Sequence, residues 1–332
     1  MLNRLRAKLT GGGNSPSPIS DESPLQKYMG YELEDIEVVR RNATDVARLL
    51  DDHYVDGFGV KTLFDCVPFV DPATLNTSRL QCPIPDDGFH AEGIEYVALL
   101  DAVERFAGGG TFCAVEAGAG WGPWLAMAGV VCRAKKVEKI RLIGLEASAE
   151  RFALMGRHLN FNHLDPQHGV AVDLFEGAVW SHDGVIHFPD SDLTDMGAAA
   201  TAADTTEDYR GHAVSTREVP CTRLSTLVGE GGCVDFLHID VQGAEGEVIV
   251  SHLDWMNRSV KSLMLATHSR PLEGEVMALL NAHGWVLMRE KPCRFNSGEK
   301  VEDWCGATTV DGSQYWINGK FTQIVSKEGQ CD

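Results

Sequence analysis

The sequence predicts an α/β fold in which helices cover both faces of a mainly parallel sheet. Beyond residue 111, short apolar segments typical of strands alternate with segments of helical spacing. The first of these strands also runs through a glycine-rich turn directly into a predicted helix. The predicted strands are 111–116, 140–146, 170–175, 235–241, 260–267, 285–290 and about 313–318.

The glycine-rich turn lies at residues 115–122, which read Val-Glu-Ala-Gly-Ala-Gly-Trp-Gly. Glycine reaches positive φ and lets the backbone approach a ligand closely. Pro123 suits the first position of the following helix, because its missing N–H is not needed there. Since the other N–H groups at a helix start are free to bind an anion or a polar ligand, the segment predicts a nucleotide-binding turn.

The spacing of this turn distinguishes between nucleotide cofactors. A dinucleotide fingerprint would need its third glycine at position 123, where the chain has proline. The spacing present is E-x-G-x-G-x-G, the first motif of S-adenosylmethionine-dependent methyltransferases of the Rossmann-like class, at Glu116, Gly118, Gly120 and Gly122. A carboxylate there would repel a pyrophosphate but accepts a sulfonium ligand with its amino group. An NAD(P)-dependent oxidoreductase, a non-catalytic S-adenosylmethionine-binding protein and a turn without ligand stay open as alternatives.

Three later segments support S-adenosylmethionine as the cofactor. Glu146, followed by Ala147, ends the second predicted strand 24 residues after Gly122, where a carboxylate accepts hydrogen bonds from both ribose hydroxyls. The third strand ends near Gly177 and Ala178, which predicts backbone contacts to adenine. Asp240 lies at the carboxyl end of the 235–241 strand, the edge at which open parallel sheets bind ligands.

Longer segments resemble the FkbM family of methyltransferases: Glu176–Phe188, Val219–Leu227 and, most specifically, Val234–Ile249. The resemblance covers about 111–318 and implies transfer of a methyl group from S-adenosylmethionine to a hydroxyl, often on a sugar or natural product. It also implies that the last two predicted strands form an antiparallel pair. The chain has Gln242 where the family usually has an acid. If that acid has a catalytic or metal-binding role in the family, other residues must fill the role in this protein.

Methyl transfer to a hydroxyl benefits from a general base, and His268 is the first candidate. It ends the 260–267 strand beside the predicted Asp240 strand, and an imidazole titrates near neutral pH. Asp240 is expected to orient His268, contact the acceptor or hold the methionine part of the cofactor. With Glu245 these side chains offer ligands for a divalent ion, but Gln242 in place of an acid weakens such a site. We therefore predict no metal.

Acceptor contacts are predicted at Glu92 and Tyr96, which share one face of the helix predicted from His90 to Phe106. Two further candidates are Asp192, in a long loop predicted at 190–208, and Arg270, just past the strand that precedes it. For each of them a solvated or packed side chain without a ligand is the alternative interpretation.

Composition limits the classes of partner. The formal net charge of −19 argues against binding of nucleic acid, which requires clusters of Lys and Arg, and favours a small-molecule or glycan acceptor. The longest apolar run is too short to span a membrane. Nine scattered cysteines without a C-x-x-C motif and a start without an apolar signal core indicate reduced thiols and a cytoplasmic location.

The chain divides by composition into four parts: a basic tail and linker at 1–20, an N-terminal helical cap at 21–110, the cofactor domain at 111–320 and a tail at 321–332. Within the cap, apolar spacing predicts a helix over about 31–54, and loose alternation predicts an extended segment over 60–70.

Overall fold

The computed structural model describes residues 29–81, 84–87, 92–190, 193, 195, 197–208, 212–296, 301 and 303–322. The strands are β1 (Arg48–Leu49), β2 (His53–Val55), β3 (Lys61–Leu63), β4 (Thr111–Ala117), β5 (Lys139–Glu146), β6 (Val170–Glu176), β7 (Ala178–Val179), β8 (Gly184–Pro189), β9 (Thr216–Thr222), β10 (Phe236–Ile239), β11 (Ser262–Thr267), β12 (Trp285–Lys291), β13 (Arg294–Phe295), β14 (Thr308–Val310) and β15 (Gly312–Asn318). The helices are α1 (Leu33–Asn42), α2 (Thr77–Gln81), α3 (Gly93–Arg105), α4 (Pro123–Ala134), α5 (Ala149–Phe161), α6 (Leu224–Val228), α7 (Glu245–Ser259) and α8 (Arg270–Ala282).

The central sheet of the described chain has seven strands in the order β12-β15-β11-β10-β4-β5-β6. Strand β15 runs antiparallel to both of its neighbours, and the other adjacent pairs are parallel. The predicted α/β class, the mainly parallel sheet and the antiparallel pairing of the last two strands are therefore confirmed. All parallel strands end at the same edge, so the segments that follow them meet there.

Side chains of the central strands alternate between two apolar clusters on opposite faces of the sheet. Phe236 packs in the cluster that includes α3 and α4, whereas Leu237 packs in the cluster that includes α7 and α8. Burial on both faces explains why these strands read as continuous apolar runs in the sequence. The polar residues His238 and Glu116, which lie opposite each other on β10 and β4, share the face of Phe236.

Strand β10 ends at Ile239, two residues before the predicted end at 241. Gln242 and Gly243 have φ values of 55° and 102°, which turn the chain out of the strand. The amide of Asp240 still donates to the Ala117 carbonyl at 2.9 Å, so this residue is held against the end of β4.

The predicted helix over 31–54 is wrong beyond Asn42. The amide of Asp45 donates to the Gly57 carbonyl and that of Ala47 to the Gln81 side chain, so neither continues the helical ladder. Val46, an apolar residue within the predicted helix, is 69% exposed. Long-range hydrogen bonds thus override the local pattern. The extended segment predicted at 60–70 is limited to β3, after which a 3₁₀ turn follows at Phe64–Cys66.

Helix α3 lies within the predicted 90–106 helix and packs against α4, β11 and β15. It begins at Gly93, where Glu92 and Glu95 form a reciprocal capping box. In the predicted loop, the described residues from 197 to 208 form turns and isolated bridges such as that between Thr201 and His187. The domain boundaries at 20, 110 and 320 stay predictions. Of the residues the structure describes, none belongs to a helix long and apolar enough to cross a bilayer.

Candidate functional site

A cavity of about 980 Å³ lies at the carboxyl edge of the central sheet, within the size range of ligand sites. It is bounded by the glycine-rich turn, the ends of β5, β10 and β11, and the segment 305–313. Most of the predicted site residues line it: Glu92, Glu116, Gly118, Gly120, Glu146, Ala147, Gly177, Ala178, Asp240 and His268. The fold therefore brings together residues up to 176 positions apart in the chain, from Glu92 to His268.

The glycines of the turn have separate physical roles. Gly118 has φ of 76°, and a Cβ placed there would lie 1.7 Å from the Asp240 carbonyl oxygen, so only glycine lets β4 and β10 meet. Gly120 has φ of 55° and faces open space, since a Cβ at this position would have no neighbouring heavy atom within 4 Å. Gly122 does not line the cavity; a Cβ there would meet Met155 at 2.9 Å, which indicates a packing role.

Glu116 is 2% exposed at the end of β4. Its carboxylate accepts a hydrogen bond from the Leu125 amide at 3.0 Å and a longer one from Trp124 at 3.5 Å, so it caps the start of α4. Burial raises the pKa of Glu116 to about 8, although the nearby His238 lowers it in part. The same carboxylate lines the cavity. Its predicted contact with a ligand amino group stays a prediction.

Glu146, at the end of β5, is oriented by two backbone donors. One carboxylate oxygen accepts from the Gly120 amide and the other from the Ser148 amide, both at 2.7 Å. Burial raises the pKa of this carboxyl, and the two hydrogen bonds oppose the shift. The pair of bonds fixes the carboxylate beside the glycine-rich turn, as required for a bidentate contact to a diol.

The far wall of the cavity is formed by backbone. The Gly177 amide donates to the Glu146 carbonyl at 2.9 Å, and a Cβ at Gly177 would lie 2.4 Å from the Pro220 carbonyl oxygen. Ala178 pairs with Cys221 in the small β7-β9-β8 sheet. These contacts place the backbone of 177–178 at the cavity surface, where adenine contacts are predicted.

On the opposite side, His268 lies between two carboxylates. Its Nδ1 is 2.8 Å from Glu245 Oε1 and its Nε2 is 3.5 Å from Asp240 Oδ1. The Glu245 contact is an ion pair and not a well-aligned hydrogen bond. Burial lowers the pKa of His268, but the charges of Glu245 and Asp240 outweigh it and raise the pKa to about 10. The ring is therefore an imidazolium at neutral pH, which argues against the predicted role of His268 as the general base.

Of the two members of this group that line the cavity, Asp240 is the more exposed, with its side chain 34% exposed against 4% for His268. Burial raises its pKa above the ordinary aspartate value, while the two histidines, His268 and His238, oppose the shift. Gln242 donates to its Oδ1 at 2.8 Å. The Gln242 side chain thus holds the Asp240 carboxylate.

Asp240, Glu245 and His268 also form the set of possible metal ligands within the described residues, their ligand atoms lying within 4.8 Å of one another. Glu245 is fully buried, and its oxygens accept hydrogen bonds from the amides of Val241 and Gly243. These hydrogen bonds already use both oxygens of Glu245, which favours a site without metal. The absence of a metal stays a prediction, which chelation of the active protein tests.

Among the cavity-lining residues that sequence reasoning missed are His238 and Lys291. His238 Nε2 is 3.3 Å from Glu95 Oε1, and the Lys291 ammonium pairs with Glu92. The sequence carried one signal for His238, because it lies two residues before Asp240 in an otherwise apolar strand and so shares its face. No comparable signal marks Lys291, whose position depends on the pairing of β12 with β15.

Two predicted acceptor contacts lie outside the cavity lining. Tyr96 is buried in the core, stacked on Phe58 at 5.9 Å and edge-on to Trp124 at 5.1 Å. Arg270 begins α8 and donates to Glu273 at 2.9 Å. Both are therefore packing or surface residues in this structure. Asp192 and His90 lie outside the described residues.

Comparison with known proteins shows which family this chain resembles. Residues 124–285 match the family described as "Methyltransferase FkbM domain". A protein of Jannaschia sp. (strain CCS1) named "Putative methyltransferase" is 30% identical over 249 residues, which cover 70% of this chain and 82% of that protein. Fold and relatives together define a methyltransferase, which removes the oxidoreductase alternative. The chain belongs to the FkbM methyltransferase family.

Solved methyltransferase structures show more distant similarity. The C-terminal domain of precorrin-6Y C5,15-methyltransferase from Rhodobacter capsulatus has a TM-score of 0.37 at 11% identity, with 70% of this chain and 91% of that chain covered. Methyltransferase FkbM from Methylobacillus flagellatus KT has a TM-score of 0.35 at 10% identity, covering 67% and 54%. The METTL16 MTase domain has a TM-score of 0.39 at 12% identity, covering 93% and 98%.

Proposed function

We propose that the protein is an S-adenosylmethionine-dependent O-methyltransferase that acts on a hydroxyl of a glycan, a sugar or a small natural product. The observation that carries the proposal is that one cavity joins the E-x-G-x-G-x-G turn and Glu146 to the Asp240–His268 pair. The turn and Glu146 suit the methyl donor. Asp240 and His268 suit the acceptor that would receive the methyl group.

The donor half is supported by three features. Gly120 leaves open space beside the turn, and its amide orients the Glu146 carboxylate for the ribose hydroxyls. The backbone at Gly177 and Ala178 lines the end predicted for adenine. Glu116, at the other end of the turn, offers a buried carboxylate to the ammonium of the methionine part.

Methyl transfer from a sulfonium is an in-line displacement, so correct placement of the acceptor supplies much of the rate. The acceptor oxygen forms a bond to the methyl carbon as the carbon–sulfur bond breaks, and that electron pair stays on sulfur as a neutral thioether. The hydroxyl proton must leave to a base. A base within hydrogen-bond reach contributes about 100- to 10,000-fold.

Asp240 is the base that the geometry favours. Its carboxylate reaches the cavity, and its raised pKa makes it a stronger proton acceptor than an exposed aspartate. His268 acts through Asp240, because a buried imidazolium 3.5 Å away holds the carboxylate in place and favours its ionised form. Glu245 in turn balances the charge of His268.

The lining of the cavity is rich in carboxylates and carries aromatic surface; besides the residues named above it includes Phe69, Asp71, Asp86, Asp87 and Asp311. Carboxylates accept hydrogen bonds from hydroxyl groups and repel anionic groups, which supports a neutral, polyhydroxylated acceptor. We also propose a cytoplasmic location, supported by the seven unpaired cysteines of the described chain.

The proposal is tested in two steps with the full chain. Calorimetry should show binding of S-adenosylmethionine and S-adenosylhomocysteine, and no binding of NAD⁺ or NADP⁺. A panel of sugars, glycans and phenolic or polyketide alcohols is then screened with methyl-labelled donor, and the product is examined by NMR for a methoxy signal.

Glu146→Gln should weaken donor binding, because the amide has only one acceptor oxygen where the carboxylate has two. The surface change Asp173→Asn is the control and should have no effect on donor binding. Absence of donor binding in the folded protein would overturn the proposal. Binding with an N-methyl product would keep the donor assignment and overturn the O-directed one.

A further inference from the structure

A buried histidine at the cavity has no role in the proposed methyl transfer. His238 lies on β10 directly opposite Glu116 on β4, and its ring is tilted against Trp124 with centroids 5.6 Å apart. The residue is 3% exposed and lines the cavity. It thus sits beside the carboxylate that is proposed to take the donor ammonium.

One ring nitrogen of His238 is engaged and the other is not. Nε2 is 3.3 Å from Glu95 Oε1, whereas Nδ1 is buried without a hydrogen-bond partner. Burying a polar nitrogen without a partner is unfavourable, so such groups require a physical explanation. A ligand oxygen next to the ring would satisfy Nδ1.

The chemistry of the donor supplies such an oxygen. Its methionine part carries an ammonium and a carboxylate on the same carbon, so a site for one lies next to a site for the other. Glu116 is proposed to bind the ammonium. The ligand's carboxylate, next to it, needs a hydrogen-bond donor that has no other partner.

The other described cationic side chains that line the cavity already form ion pairs or hydrogen bonds with protein groups. The Lys291 ammonium pairs with Glu92, and the Arg79 guanidinium is 3.3 Å from Asp86. His268 lies between Asp240 and Glu245. Arg151 bonds to the carbonyls of Leu193 and Asp195.

We infer that His238 is a specificity-determining residue for the methyl donor: as an imidazolium it donates Nε2–H to Glu95 and Nδ1–H to the carboxylate of the donor's methionine part. This inference rests on the proposed function. It assigns recognition of the amino-acid end to a strand residue outside the glycine-rich turn. It also accounts for a polar side chain within an apolar strand.

The test compares three ligands by calorimetry on the full chain. S-adenosylhomocysteine carries the carboxylate, its decarboxylated analogue lacks only that group, and 5′-methylthioadenosine lacks the whole amino-acid part. His238→Leu should weaken the affinity for S-adenosylhomocysteine by about 10- to 100-fold, the range of a charge-assisted hydrogen bond. It should change the affinity for each of the two truncated ligands by no more than about twofold. His238→Asn, which keeps a donor near the Nδ1 position, should recover a substantial part of the loss.

Controls separate this inference from the function on which it rests. His252→Leu removes a buried histidine outside the cavity, on α7, and should not change the preference for S-adenosylhomocysteine over its decarboxylated analogue. An unchanged preference in both His238 variants would overturn the inference and leave the methyl-donor assignment intact. If His238→Leu does not fold, an unchanged preference in His238→Glu, whose carboxylate would repel the ligand's, overturns it equally. Failure of the unaltered protein to bind any of the three ligands would instead refute the proposed function.

Discussion

Binding of the methyl donor should release a proton from Glu116. Burial raises the pKa of this carboxyl to about 8, so in the free protein it is protonated at neutral pH. The donor presents a positive charge to it and favours the ionised form. Because the bound state holds fewer protons than the free state, the affinity for the donor must rise with pH. The rise stops once the pH exceeds the pKa of Glu116 in the free protein.

The size of the effect follows from the pKa. With a pKa near 8, about one molecule in eleven carries the ionised carboxylate at pH 7, and about one in a hundred at pH 6. Donor affinity that requires this ionised form should therefore increase about ninefold from pH 6 to 7 and about fivefold from pH 7 to 8, and should level off above pH 8. A tenfold change in affinity corresponds to about 1.4 kcal/mol of binding free energy.

Calorimetry of S-adenosylhomocysteine between pH 6 and 9, in two buffers of different ionisation enthalpy, measures both the affinity and the number of protons released. Glu116→Gln is the matched control, because it keeps the shape of the side chain and cannot titrate. The ligand's own amino group titrates equally with both proteins, so the difference between them isolates Glu116. 5′-Methylthioadenosine, which lacks the amino group, should show no slope.

Equal pH slopes for the unaltered protein and Glu116→Gln would refute this reasoning, as would an affinity that rises towards acid pH. The first result would mean that the carboxyl is not coupled to the ligand. The second would mean that the donor binds next to a protonated Glu116.

Three further predictions concern the catalytic pair, the turn and the metal question. Asp240→Asn and His268→Ala should each keep S-adenosylhomocysteine affinity within about threefold and lose about 100- to 10,000-fold in kcat once an acceptor is known; a parallel loss of affinity would place Asp240 on the donor instead. Gly118→Ala should lower the free energy of unfolding by at least about 2 kcal/mol in chemical denaturation, since its Cβ would lie 1.7 Å from the Asp240 carbonyl oxygen. Gly120→Ala, with open space at the same position, should cost about 1 kcal/mol or less and weaken donor binding instead; a larger stability loss at Gly120 than at Gly118 would contradict the packing argument. Turnover should persist in excess chelator, and its loss with recovery on adding Mg²⁺ or Mn²⁺ would show that Asp240 and His268 serve a metal.

The sequence by itself was sufficient for the central sheet and for the glycine-rich turn. Strands buried on both faces require continuous apolar runs, and the turn requires glycines at fixed spacing, so both are visible as local patterns. The acid at the end of β5 could be placed for the same reason, because strand and turn lengths determine where Glu146 falls. None of these inferences needed a contact between distant segments.

Features that depend on contacts between distant segments became visible only in the tertiary structure. Residues 43–54 follow helical spacing but bond to Gly57 and Gln81, so the helix stops. His268 was predicted as a neutral base from its ordinary titration range, and only the structure shows it between Asp240 and Glu245. The orphan nitrogen of His238 likewise appears only once β10 is paired with β4. The physical reason is common to all three: hydrogen bonding and the charge on a side chain depend on what lies within a few ångströms in space, and local sequence patterns record only neighbours along the chain.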